Sequence, residues 1–257
     1  MTLSLVVAAK ELRDHARDVR SLLSSALLTL MGPAVVLIVS MSDRASGKDN
    51  AAVLLGMLSV FALVSSFAGA IDIAMDAAAG ERERRSLLPL LLNPIAGSRV
   101  VVGKWLAVAA FGLAAVALNC LGLIAVLGWA APVALALRAS QIGIWIALGL
   151  VPLACLGAAL NLLVAVTCRT AKEAHTALKY LAFAPMMVGM FLVFFPGWIG
   201  RMWFVLPVVG QQALIGMAPQ PVPVAQSVIL ALVTLAAVVP VLALAARVLN
   251  RDEIVAA

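Results

Sequence analysis

Charge is scarce in this chain of 257 residues. Only 12% of its residues are Asp, Glu, Lys or Arg, while 64% are hydrophobic. Soluble domains carry about 25% charged residues. A water-soluble globule could not cover so much apolar surface with so few charges. Cysteine is scarce too. Cys120, Cys155 and Cys168 lie inside or at the end of apolar runs, which reads as three free thiols and excludes a disulfide scaffold. The two histidines, His15 and His175, stand on separate segments, and neither has a second His or Cys at metal-ligand spacing. No GxxxxGK phosphate loop ending in Ser or Thr occurs, and no GxSxG nucleophile elbow. The chain therefore lacks the usual means of cradling a nucleotide. Nothing in it nominates a catalytic nucleophile or base. A short apolar core with a cleavage site is missing at the start, where Lys10 to Arg20 carries seven charges, so no signal peptide is expected.

What is abundant is long apolar sequence. A membrane-spanning helix needs about 20 apolar residues, and six stretches qualify: roughly 22–41, 51–75, 103–129, 142–168, 178–196 and 224–246. They are apolar on all faces, so the alternating strands of a membrane barrel are rejected. The expected fold is an all-α integral membrane protein with six transmembrane helices, forming a single domain over 1–257. With the N-terminus in the cytoplasm, only Arg44, Lys48, Arg138 and Arg201 fall outside, leaving 14 of the 18 Lys and Arg inside. The positive-inside rule then places both termini in the cytoplasm. It also gives the net charge of +6 a topological meaning, and no nucleic-acid partner is expected.

Before the first span, Leu5, Ala8, Ala9, Leu12, Ala16 and Val19 recur at helical spacing, with Lys10, Arg13, Asp14, Arg17 and Asp18 largely opposite. That pattern predicts an amphipathic helix over about 3–20, lying in the membrane interface or packed on a soluble partner. Near the other end, about 197–223 mixes Trp198, Trp203, Phe204 and Leu206 with prolines. This reads as a re-entrant outer segment before the last span.

Few polar residues fall within the spans. Asp72 and Asp76 share a helix face at the inner end of the second; Asn119 lies in the third and Asn161 in the fourth. Asp72, Asn119 and Asn161 could line a substrate or ion path as oxygen ligands. Alternatively, the acids pair with Arg82, Arg84 or Arg85 and the amides bond helix to helix. Ala62, Ser66, Ala70 and Ala74, each four apart, form a stripe for close helix packing, within one protomer or between two.

The loop after the second span, about 77–99, reads Gly80-Glu81-Arg82-Glu83-Arg84-Arg85-Ser86-Leu87-Leu88-Pro89-Leu90-Leu91-Leu92-Asn93-Pro94. A charged cluster leads into an apolar turn that would be poorly covered in a solvated hairpin. A short amphipathic helix that docks a cytoplasmic partner fits better. This loop, with Gly103-Lys104, resembles the signature loop of type-2 ABC transporter permeases, specifically the NatB-like branch. Lys10-Glu11-Leu12-Arg13-Asp14 with Arg17-Asp18 is similar to that family's N-terminal elbow helix. Lys172-Glu173-Ala174, Pro185 and Leu206-Pro207 are similar to its second half.

The resemblance implies a permease subunit without ATPase motifs of its own. A separate ABC ATPase subunit would bind ATP and Mg, and a second permease copy or a homologue would complete the path. Substrate would leave the cytoplasm by alternating access. Coupling to the ATPase falls on Glu81, Arg82, Glu83, Arg84, Leu87, Pro89 and Pro94, and the elbow on Lys10, Glu11, Arg13 and Arg17. Leu88 stands where family members commonly carry Glu. The competing readings are a secondary transporter, an ion (sodium) exporter component, a membrane-embedded lipid enzyme and a scaffold with no transport path.

Overall fold

The computed structural model describes residues 3–46, 51–83, 97–130, 143–195, 205–216 and 224–256. Among these residues the chain is helical, and no strand occurs. Helix α1 (Leu3–Ala16) turns through Arg17 and Asp18 into α2 (Val19–Ser46). Then come α3 (Ala51–Ala68), α4 (Ile71–Met75), α5 (Gly97–Ala130), α6 (Val151–Thr167), α7 (Ala171–Phe194), α8 (Val209–Gly216) and α9 (Val224–Ala256). Six of these helical stretches are long and apolar enough to cross a membrane: Ser21–Ser42, Gly56–Glu83, Gly97–Val126, Trp145–Thr167, Ala171–Phe194 and Val224–Leu249. They coincide with the six spans expected from hydropathy.

Three boundaries move by six residues or more. The second span runs on to Glu83, the third begins at Gly97 and the fifth at Ala171. Charged side chains mark the bilayer edge only when they need water. Here Asp72, Asp76, Glu81, Lys104 and Glu173 interact within the protein, so helix continues past them.

The second span is not one straight rod. It breaks at Gly69 and Ala70, where Ala70 takes φ −112° and ψ 7°. Kinks arise at small residues and where a side chain enters the backbone ladder, and both causes meet here. Gly69 lies against Ala115 of α5, with no room for a methyl group. Asn161 of α6 donates its Nδ2 to the Phe67 carbonyl at 2.8 Å. Gly157 lets α6 in from the other side: a Cβ there would sit 2.5 Å from the Ser66 carbonyl oxygen. Ala62, Ser66, Ala70 and Ala74 are all buried, so the small-residue stripe packs within the protomer.

After α4, the backbone forms a π turn over Asp76–Gly80, followed by a single α turn, Glu81–Glu83. A π turn adds a residue to one turn and rotates the downstream helix by about 100°. Helix α6 occupies the middle of the bundle, touching α3, α5, α7 and α9. Leu153, Ala158, Leu162 and Ala165 on α6 are fully buried, with Leu63, Phe67, Val108 and Leu178 around them. The outer helices expose large apolar side chains: Leu23, Leu27 and Ile38 on α2, Phe183 and Phe194 on α7, Leu232 and Val239 on α9. Such a surface suits hydrocarbon and would be a liability in water.

The cysteines are free, as expected. Within 197–223, the described residues 205–216 include α8, and its Gln211, Gln212, Ala213 and Leu214 are buried. Gln211 donates to Thr234 Oγ1 at 3.0 Å and Gln212 to Ser59 Oγ at 2.7 Å. Gln211 also accepts from the backbone N–H of Val208, whose φ is 71°. These bonds hold the short helix against the second and sixth spans. The remainder of 197–223 lies outside the described residues.

Candidate functional site

The charged end of the bundle is built where α1 crosses α5. Gly103 permits the crossing, because a Cβ there would meet the Ser4 carbonyl oxygen at 2.7 Å and Val7 Cβ at 2.8 Å. The next residue, Lys104, points into the junction with its side chain 4% exposed. It donates to Glu11 Oε1 at 3.0 Å and to Glu81 Oε2 at 2.6 Å. Lys10 closes the group from outside, 3.1 Å from Glu81 Oε1 and 3.5 Å from Glu11 Oε1. Two ammonium groups thus face two carboxylates on three separate segments. The Lys10 ammonium is held above the ordinary lysine range. Partial burial is the largest single influence and lowers it, but Glu11, Glu81 and Asp14 together outweigh burial.

The face of α1 that packs on the bundle is not its most apolar one. The buried residues are Val7, Ala8, Glu11 and His15, while Leu5 and Val6 are exposed. Lys104 draws Glu11 inward. His15 is drawn in by Ser21, with Nε2 and Oγ 3.0 Å apart, and by the ring of Phe111 edge-on at 5.0 Å. His15 Nδ1 lies 4.0 Å from Asp76 Oδ2. A cavity of about 210 Å³ opens beside these groups, lined by Lys10, Glu11, Asp14, His15, Asp76 and Glu81 among others. Arg13 on α1 and Arg17 in the turn after it are exposed.

Asp72 is bound by hydroxyls. Its Oδ2 accepts from Ser24 at 2.6 Å and from Ser25 at 3.2 Å, both on α2. Arg82 is directed elsewhere, with Nη1 donating to the Cys168 carbonyl at 3.1 Å. Asn119 Nδ2 donates to the Thr29 carbonyl at 2.9 Å, and Asn161 serves the kink at Gly69. Both amides therefore join helix to helix. Glu83 Oε2 accepts from the Ala171 N–H at 3.0 Å. There, Thr170 caps α7 by accepting from the Glu173 N–H at 3.2 Å, and Glu173 reaches back to the Arg169 N–H at 3.0 Å. This is a close relative of the capping box. The Glu81–Glu83 end of the second span is thereby tied to α1, α5 and the start of α7.

Arg84, Leu87, Pro89 and Pro94, with the rest of 84–96, lie outside the described residues. Sequence reasoning gave no site role to Lys104, His15, Ser24 and Ser25. A lysine so near the expected start of a span was a signal for the first, since such a group needs a partner. The serines gave none, being common in membrane helices.

Among the described residues, a helical bundle with six helices long and apolar enough to span a bilayer, and with charged groups gathered at one end, is the architecture of a multi-pass integral membrane protein. Comparison with known families makes this specific. The family model described as ABC-2 family transporter protein matches residues 5–254, and the chain belongs to that family. It is also similar to the ABC transporter permease protein NatB of Bacillus subtilis (strain 168), at 31% identity over 186 residues. That match covers 67% of this chain and 46% of the relative, so the chain spans about half the length of the protein it matches.

Proposed function

We propose that the chain is the membrane-spanning permease subunit of an ATP-driven exporter. A separate ABC ATPase subunit binds ATP and Mg and supplies the work, and a second permease copy or a homologue completes the translocation path. The observation that carries this reading is the family match over residues 5–254. The brace around Lys104 supports it, because the segment after Glu83 starts from a helix end held on three sides.

In this reading, residues 77–99 contain the coupling element and α1 is the elbow. Both termini and the coupling element face the cytoplasm, and exposed Leu5 and Val6 rest in the membrane interface of the inner (plasma) membrane. Glu81 and Glu83 brace the base of the coupling element, leaving Leu87 and its apolar neighbours to make the docking contact. Asp72, with Ser24 and Ser25, lines the inner part of the path. Asn119 and Asn161 serve packing.

The test is co-purification with an ABC ATPase subunit carrying a phosphate loop, followed by ATP-driven transport in vesicles. A panel of ions, lipids and drugs supplies the substrates. Replacing Leu87 with Asp should cut permease-stimulated ATP hydrolysis at least tenfold while the permease stays folded. Full stimulation by that variant removes the loop from the coupling role. Uptake into inside-out vesicles marks export.

A further inference from the structure

The geometry points to Lys104 as a positioning residue that locks α1 and the inner end of the second span into one rigid body. This role rests on the proposed function, in which the segment after Glu83 receives the push of an ATPase. Three observations carry it. First, Lys104 joins residues 93 and 23 positions away in sequence, so one side chain fixes two segments that the chain itself leaves independent. Second, it does so from an almost fully buried position. A buried ammonium persists only when paired and hydrogen-bonded. Glu11 and Glu81 supply those partners, so releasing either costs the buried ammonium one of its two charge-assisted hydrogen bonds and the joint resists opening. Third, the backbone is shaped for the joint. Gly103 lets α1 lie directly on α5, and the π turn at Asp76–Gly80 sets the rotation at which Glu81 faces Lys104.

The consequence is a defined route for force. A displacement arriving at Glu81–Glu83 passes through Glu81 and Lys104 to Glu11, and so to α1. Helix α1 joins the first span through the turn at Arg17 and Asp18. The first and second spans then move together. Without the lysine, only the exposed Lys10–Glu81 pair would link α1 to the second span, and α1 would lag.

The deciding variant is Glu11→Gln/Glu81→Gln/Lys104→Met, which removes the joint without stranding a buried charge. Hydrogen exchange is measured in nanodiscs on the complex with its ATPase subunit, at rest and trapped with ADP and vanadate. In the wild type, residues 3–16 and 76–83 should change protection together on trapping. In the triple variant, residues 3–16 should exchange at least tenfold faster at rest and lose their response, while 76–83 keeps its own. Lys104→Arg, which keeps the charge, should restore much of the joint response.

A folded triple variant whose α1 exchanges and responds as in the wild type overturns the proposal. If the triple variant does not fold, Lys10→Met/Glu11→Met removes both contacts of α1 with Lys104 and Glu81 and leaves those two paired, and unchanged α1 exchange in it is equally decisive. If no ATPase subunit binds the wild type, the proposed function fails separately. The resting exchange of α1 in the permease alone then decides whether the joint exists.

Discussion

Polar side chains within the spans divide by what holds them. The Asn161 amide is fully buried and donates to a backbone carbonyl at a helix break. Its loss removes a bond between two helices. The Asp72 carboxylate is partly exposed and held by two serine hydroxyls. An Asn in its place keeps the shape and can still accept from them. Interhelical side-chain bonds in membranes average about 0.6 kcal/mol and reach about 1.7. Asn161→Ala should therefore lower stability by about 1 kcal/mol, read as unfolding in detergent. Asp72→Asn should leave stability within about 0.5 kcal/mol and reduce transport of a cationic substrate at least fivefold in vesicles. Unchanged transport by a well-folded Asp72→Asn variant would take Asp72 out of the path. That these residues matter was legible in the sequence, because polar groups are few in the apolar runs. Their partners were not. Ser24 and Thr29 lie 48 and 90 residues from the groups they serve, and nothing local records such a separation.

Helices were legible as apolar runs, and their ends were not. The pattern stops the second span near Met75, because acids and arginines come next. The helix continues because Glu81 and Arg82 find partners on α5 and beside α6. The break at Gly69 could not be read either, since a glycine in a membrane helix has no single meaning. Close packing gives each such glycine its own cost. A methyl group on Gly157 would press on the Ser66 carbonyl oxygen, which cannot move without shifting α3. On Gly112 its nearest neighbour would be Ala70 Cβ at 3.5 Å, an ordinary contact. Overpacking costs about 1–3 kcal/mol, whereas Ala for Gly within a helix gains up to about 1 kcal/mol. Gly157→Ala should thus lower the melting temperature and Gly112→Ala should hold or raise it, as measured by thermal unfolding in detergent. The same sign for both would contradict the proposed packing of α6 against the kink.

At the scale of the whole molecule, six spans come from hydropathy alone, and the structure adds which segments share an end. Lys10 meets Glu81, Arg82 meets the Cys168 carbonyl, and Glu83 meets the N-terminus of α7. An even number of crossings separates the regions around residues 10, 82 and 170, as it must for them to touch. The positive charge gathers on those same regions, while Arg44 and Lys48 fall in the sequence between the first two spans. The positive-inside rule predicts that the larger group faces the cytoplasm. A single cysteine placed at Lys48 in a cysteine-free background should react with an impermeant maleimide in intact cells. Cysteines at Arg85 and Lys172 should react only in inverted vesicles. The reverse pattern would put the brace around Lys104 on the outer face, where no ATP-driven partner could reach it. The labelling thus tests the topology and the proposed motor contact at once, since an ATPase can act on this chain only from the side that carries the coupling element.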